Sequence, residues 1–85
     1  MDRSSGGRSV SDTVTVRALA TLAPYAPPGG VASIGPGETV GELADRLGIE
    51  PEALGSVLVN EAPAGLDTVL APGSVVSFVP PITGG

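Results

Sequence analysis

The residues best suited to chemistry stand at the end of the chain, in the run Phe78-Val79-Pro80-Pro81-Ile82-Thr83-Gly84-Gly85, where a strand-like pattern meets two prolines and stops at a bare diglycine. The reactive group there is the main-chain carboxylate of Gly85. Two terminal glycines carry no side chain to obstruct passage into a narrow active site, and they accept backbone angles that other residues avoid. Another enzyme could therefore reach and activate that carboxylate. The side chains offer much less. Cys and His are both absent, which removes the usual thiol nucleophile, the usual general base near neutral pH and the commonest transition-metal ligands. No catalytic side chains, bound metal or bound cofactor are expected. Without Cys there is no disulfide, and redox compartment is not indicated.

Something must hold that tail, and with 85 residues the chain is read as one small domain flanked by two short segments. Residues 1–12 (MDRSSGGRSVSD) are rich in Ser, Gly and charge and are expected to form a disordered arm. Residues 13–79 are the domain, and residues 80–85 a flexible tail. The run 13–19 alternates polar and apolar residues, the period of a half-buried strand with Val14, Val16 and Ala18 inward. Residues 23–30 hold three prolines and two glycines, which exclude a regular helix or a central strand, so they are read as a long loop. Residues 31–34 form a short second strand in a hairpin with the first.

After the turn at residues 35–38, Thr39 and Glu42 have the spacing of a capping box. A helix over residues 40–47 follows, with Val40, Leu43, Ala44 and Leu47 on one stripe, Glu42, Asp45 and Arg46 outward, and Gly48 as a left-handed cap. A short helical turn over 51–54, a third strand over 56–60 and an edge strand over 62–64, where Pro63 is tolerated, come next. Residues 66–70 read as a turn of helix, residues 71–74 as a tight turn, and residues 75–79 as the last strand. The core must be filled by aliphatic residues against Phe78, since the chain has one Tyr, one Phe and no Trp.

Nine acidic residues face four arginines and no lysine, for a formal net charge of −5. That balance argues against nucleic acid or an anionic membrane as partner and for a basic protein surface. Glu38, Glu42, Asp45, Glu61 and Asp67 are candidates for steering toward it. The missing lysines have two readings: selection against amines that would attack an activated chain end, or a plain preference for Arg. No signal peptide or membrane-length apolar run is present, so a cytoplasmic location is expected.

The pattern resembles the ubiquitin-like sulfur carriers of the MoaD/ThiS family, most of all the small subunit of molybdopterin synthase. The resemblance is carried by Gly37-Glu38-Thr39-Val40-Gly41-Glu42-Leu43, by Val57-Leu58-Val59-Asn60, by residues 66–76 and by the tail from Phe78, and it spans residues 13–85. It implies an α+β fold, the ubiquitin-like β-grasp, with a mixed four- to five-stranded sheet wrapped around one main helix. It also implies that Gly85 is adenylated with ATP on a separate ThiF/MoeB-like adenylating enzyme and converted to a thiocarboxylate. A sulfur donor protein would supply the sulfur, and in molybdenum cofactor biosynthesis the molybdopterin synthase large subunit would be the partner that receives it. Carriers for thiamin, cysteine or other thio-metabolites have related tails. Two other classes stay open: a ubiquitin-like modifier joined to lysine amines, and a β-grasp interaction domain with no chemistry at its end.

On this reading Gly85 carries the reacting carbonyl and Gly84 supplies slimness. Pro80 and Pro81 form a stiff stalk leading off the sheet, Ile82 is an apolar anchor, and Thr83 lies in the same docking segment. Strand parity adds a surface. If Val76, Phe78, Val57 and Val59 point inward, then Val75, Ser77, Val79 and Leu58 point the other way, and Leu58 with Val79 makes an apolar docking pair at the base of the tail.

Overall fold

The computed structural model describes residues 12–81; all of the arm read over residues 1–12 except Asp12, and the tail residues 82–85, lie outside them. The order of elements is β1 (Thr13–Ala18), β2 (Val31–Ser33), α1 (Val40–Leu47), β3 (Ser56–Val59), β4 (Ala62–Ala64) and β5 (Val75–Val79). The strands form one mixed sheet in the order β2-β1-β5-β3-β4. β1 pairs antiparallel with β2 and parallel with β5, while β3 lies antiparallel to both β5 and β4. One helix against a five-stranded mixed sheet is the ubiquitin-like β-grasp that the resemblance implies. The last strand is also the central one.

Each part of α1 that the sequence marks is found in place. Thr39 Oγ1 accepts from the Glu42 N–H at 3.2 Å, and Glu42 Oε1 accepts from the Thr39 N–H at 2.9 Å. At the other end Gly48 adopts φ 87°, and its N–H donates to the carbonyls of Ala44 and Asp45. A residue with a Cβ is strained in that left-handed conformation, which is why glycine stops the helix there. Val40, Leu43 and Ala44 are buried and Leu47 is partly buried against the same core. Burying one such Val or Leu stabilises the fold by roughly 1.5–3 kcal/mol relative to leaving it exposed. The sheet answers with Val14, Val16, Ala32, Val57, Val76 and Phe78.

Two expectations need correction. Residues 66–70 are not helical: Gly65 to Thr68 is a hydrogen-bonded turn, and Val69 forms an isolated bridge with Thr39. The carbonyls of that segment are taken by α1, whose first two N–H groups, at Val40 and Gly41, donate to Thr68 O at 2.9 Å and Leu66 O at 2.8 Å. A helix end has orphan donors to satisfy, and here the carbonyls of the 65–68 turn satisfy two of them. Gly41 permits the approach, since a Cβ there would lie 3.1 Å from Leu66 O.

The long loop at residues 23–30 is the second correction. The chain winds into 3-10 turns over Ala20–Tyr25 and then closes a tight turn from Pro27 to Gly30, whose N–H donates to Pro27 O at 2.9 Å with Gly29 at φ 70°. Short 3-10 segments make few hydrogen bonds and so tolerate prolines that would break an α-helix, and Leu22, 2% exposed, anchors this one in the core. The inward and outward faces of the sheet agree with the strand parity: Val59 packs half-buried against the core, and Ser77, on the outer face, is 8% exposed on a strand flanked on both sides. The remaining turns agree with the sequence reading, including Ala71 to Ser74, closed by Ser74 N–H to Ala71 O with Gly73 at φ 86°.

Candidate functional site

The tail takes its origin from the middle of the sheet. Phe78, the last inward residue of β5, is fully buried and lies opposite Ala18 on β1 and Val57 on β3. Its carbonyl accepts from the Leu19 N–H at 3.1 Å, and on the other side the Val79 carbonyl accepts from the Gly55 N–H at 2.7 Å. The root of the tail is thus held from both flanks by backbone bonds and from below by the core. Pro80 and Pro81 have no N–H to continue either ladder, which ends the strand at Val79.

The two prolines do not leave the sheet at once, as a free stalk would. Pro80 is half-buried and Pro81 exposed, and their backbone runs over Gly55. A Cβ built on Gly55 would lie 2.4 Å from Pro81 Cα, 2.7 Å from Pro81 N and 2.8 Å from Pro80 C. Gly55 was not among the residues singled out from the sequence. The signal available was an isolated glycine immediately before a strand, which often marks a close backbone approach.

Strand register places the expected docking pair. Leu58 lies opposite Ser77 and Val79 opposite Ser56, so Leu58 and Val79 are diagonal neighbours on the face away from α1. Both are half-buried. The row through Leu58 continues to Pro63 on β4 in one direction and through Ser77 to Arg17 on β1 in the other. Diagonal neighbours across an antiparallel pair stand about 7–8 Å apart, near enough for one partner residue to touch both. Ile82, Thr83, Gly84 and Gly85 lie outside the described residues.

Two of the acids considered for steering are engaged within the fold. Glu38 Oε2 accepts from Arg46 Nε at 2.8 Å, and its Oε1 accepts from the Gly35 N–H at 2.7 Å. Burial of the Glu38 carboxylate works against its charge, but the Arg46 and Gly35 hydrogen bonds and the charge of Arg46 outweigh it and hold its pKa below the usual carboxylate value. Arg46 also donates to the carbonyl of Ser33, tying α1 to β2. Glu42 is taken by the cap. Asp45, Glu61 and Asp67 are exposed. An open depression lined by Gly35, Pro36, Glu38, Glu42, Asp45 and Arg46 shares no residue with the root of the tail. Among the described residues no group of three or more Asp or Glu side chains is placed to hold a metal ion, and no helix is long and apolar enough to cross a membrane.

The family model described as "ThiS family" matches residues 16–85, from β1 through the terminal diglycine. The chain belongs to the ThiS family. Among solved structures it is similar to SAMP1 from Haloferax volcanii, with 26% identity, a TM-score of 0.60 and coverage of 86% of this chain and 99% of that one. A second structure, of the small archaeal modifier protein 1 from H. volcanii, matches in fold with 23% identity and a TM-score of 0.61 over 82% of this chain and 98% of that one. No curated protein sequence matches it.

Proposed function

We propose that this ThiS-family chain is a sulfur carrier whose C-terminal Gly85 is activated and loaded by other proteins, first of all for molybdopterin biosynthesis. A carboxylate is a poor electrophile. A ThiF/MoeB-like adenylating enzyme therefore joins the Gly85 carboxylate to AMP from ATP, with release of pyrophosphate. A sulfur donor protein then supplies the sulfur that displaces AMP, and the thiocarboxylate so formed stays bound to the chain until an acceptor takes it. In a molybdopterin synthase the large subunit would hold the pterin and receive the tail. Thiamin, cysteine or another thio-metabolite is the alternative destination.

The observation that carries this reading is the family match running through Gly85 itself, on a chain with neither Cys nor His to do chemistry elsewhere. The architecture at the root supports it. A tail clamped at Leu19 and Gly55 and stiffened by two prolines loses less entropy on docking than a chain free from Val79 onward. Leu58 and Val79 offer the adenylating enzyme an apolar footing beside it, while Ile82 and Thr83 would follow the prolines into its channel.

The likeness to SAMP1, named a modifier, favours a second use of the same end: attack on activated Gly85 by a lysine amine of another protein, giving an isopeptide. The two outcomes are separated by intact mass. The full chain is incubated with a ThiF/MoeB-like enzyme, ATP and a sulfur donor, beside a chain lacking Gly84-Gly85. Gain of one sulfur for one oxygen, only in the full chain, is the expected result. Lysine-linked adducts in place of that gain would favour the modifier. Equal behaviour of the full and truncated chains, with a known carrier loaded in parallel, would leave a plain interaction domain.

A further inference from the structure

We infer that Gly55 is a positioning residue for the tail, keeping open the space through which the backbone of Pro80 and Pro81 passes and so setting the direction in which the chain leaves the sheet. The inference rests on the reading that the tail is threaded into an activating enzyme. Its basis is steric and local. Gly55 is absent from the positive-φ residues, so an L-residue could adopt its backbone conformation, and the requirement is for space alone. That space is filled by main chain: the atoms nearest a Cβ at this position are Pro81 Cα, Pro81 N and Pro80 C, all under 3 Å. No flexible side-chain end is there to swing aside.

The neighbouring bonds decide what has to move. Val79 is held by pairing with Ser56 and by the Gly55 N–H at 2.7 Å, and Phe78 by the Leu19 N–H and full burial. β5 therefore cannot shift as a unit without disturbing the core. An alanine at position 55 must displace the Pro80-Pro81 backbone by about 1 Å to restore ordinary contact with Pro81 Cα. Two consecutive prolines, each with φ fixed near −65°, absorb little of that displacement locally and pass it to the residues beyond. A misplacement of about 1 Å at a reacting group can cost on the order of a hundredfold in rate. The atoms displaced are those of Pro80 and Pro81 and not the reacting carbonyl of Gly85, so the cost falls on binding, as a higher KM with kcat retained.

Contrast comes from Gly65, which follows β4 at the same end of the β3–β4 pair. A Cβ there would meet only Asp67 Oδ1, at 3.0 Å, the end of an exposed side chain. Gly65→Ala therefore serves as the matched control.

The experiment uses the full chain with an activating enzyme of the family. In wild type, proton NMR should show contact between the α protons of Gly55 and Pro81. Gly55→Ala should move the amide signals of residues 82–85 and leave those of Val14, Leu43 and Val76 in place, with KM of the activating enzyme for the chain raised about tenfold and kcat within twofold. Gly65→Ala should do neither. In a Pro80→Gly/Pro81→Gly background the chain can bend around the new methyl group, so Gly55→Ala should change KM by less than twofold. An unchanged KM in Gly55→Ala, the same tenfold loss in the diglycine background, or shifts spread through the core with unmoved tail signals would each overturn the assignment. If no version of the chain is adenylated, the carrier reading fails, and the NMR comparison alone decides whether Gly55 aims the tail.

Discussion

Phe78→Ala separates the fold that holds the tail from the tail itself. Phe78 is fully buried, is the chain's single phenylalanine, and bridges the two pairings of β5 through Ala18 and Val57. Truncating a buried Phe to Ala costs about 3–5 kcal/mol, through lost transfer energy and the cavity left behind. Collapse around the hole is resisted on the strand side by the parallel and antiparallel ladders, so the value should lie in the upper half of that range. At about 0.05–0.15 kcal/mol per residue, 85 residues carry roughly 4–13 kcal/mol in total. The variant should therefore lose a large fraction of its stability, and its Tm should fall by at least about 12 °C. Urea unfolding followed by far-UV circular dichroism is the suitable assay, because the chain has no Trp and Tyr25 is 44% exposed. Val69→Ala, at a side chain 61% exposed, is the control and should stay within about 0.5 kcal/mol of wild type. A loss below 1 kcal/mol for Phe78→Ala would refute the argument that β5 is pinned through this ring.

Glu61, at φ 69° in the two-residue loop between β3 and β4, should gain about 1 kcal/mol on Glu61→Gly, since left-handed backbone costs a residue with a Cβ roughly 1–2 kcal/mol; a lower urea midpoint would argue against strain there. Leu58→Ser should raise KM for the activating enzyme severalfold while the unfolding free energy from urea titration changes by no more than about 1 kcal/mol, and an unchanged KM would remove Leu58 from the docking surface.

The helix was legible because every signal that defines it is local. Thr39, Glu42 and Gly48 act on backbone groups within four residues of themselves, so spacing in the sequence carries the geometry. Residues 66–70 failed for the opposite reason. Leu66 and Leu70 stand at helical spacing, but the segment is too short to form a helix unaided, and its carbonyls are claimed by Val40 and Gly41, more than twenty residues earlier. The same division runs through the site. Alternation alone put Val76 and Phe78 on the inner face and Leu58 and Val79 on the other, while their adjacency there comes from the β3–β5 pairing. The burial of Ser77 and the role of Gly55 depend on which strands flank β5, and strand order is a non-local fact.

Glu38 joins these local and distant parts. It ends the turn after β2, its main-chain carbonyl accepts from the Leu70 N–H at 2.8 Å, and its side chain links Gly35 to Arg46 on α1. Its pKa is lowered in the fold despite burial, so the native state binds its proton less readily than the unfolded chain does. The stability this provides is present above the unfolded carboxylate pKa and is lost as pH falls through the lower folded value. Glu38→Gln, which keeps the shape but not the charge, should therefore be less stable than wild type near neutral pH, and the gap should close on the acid side of the usual carboxylate range. Paired urea titrations across that range would show it. A gap that stays constant with pH would mean that the hydrogen bonds, and not the charge on Glu38, hold the turn to α1.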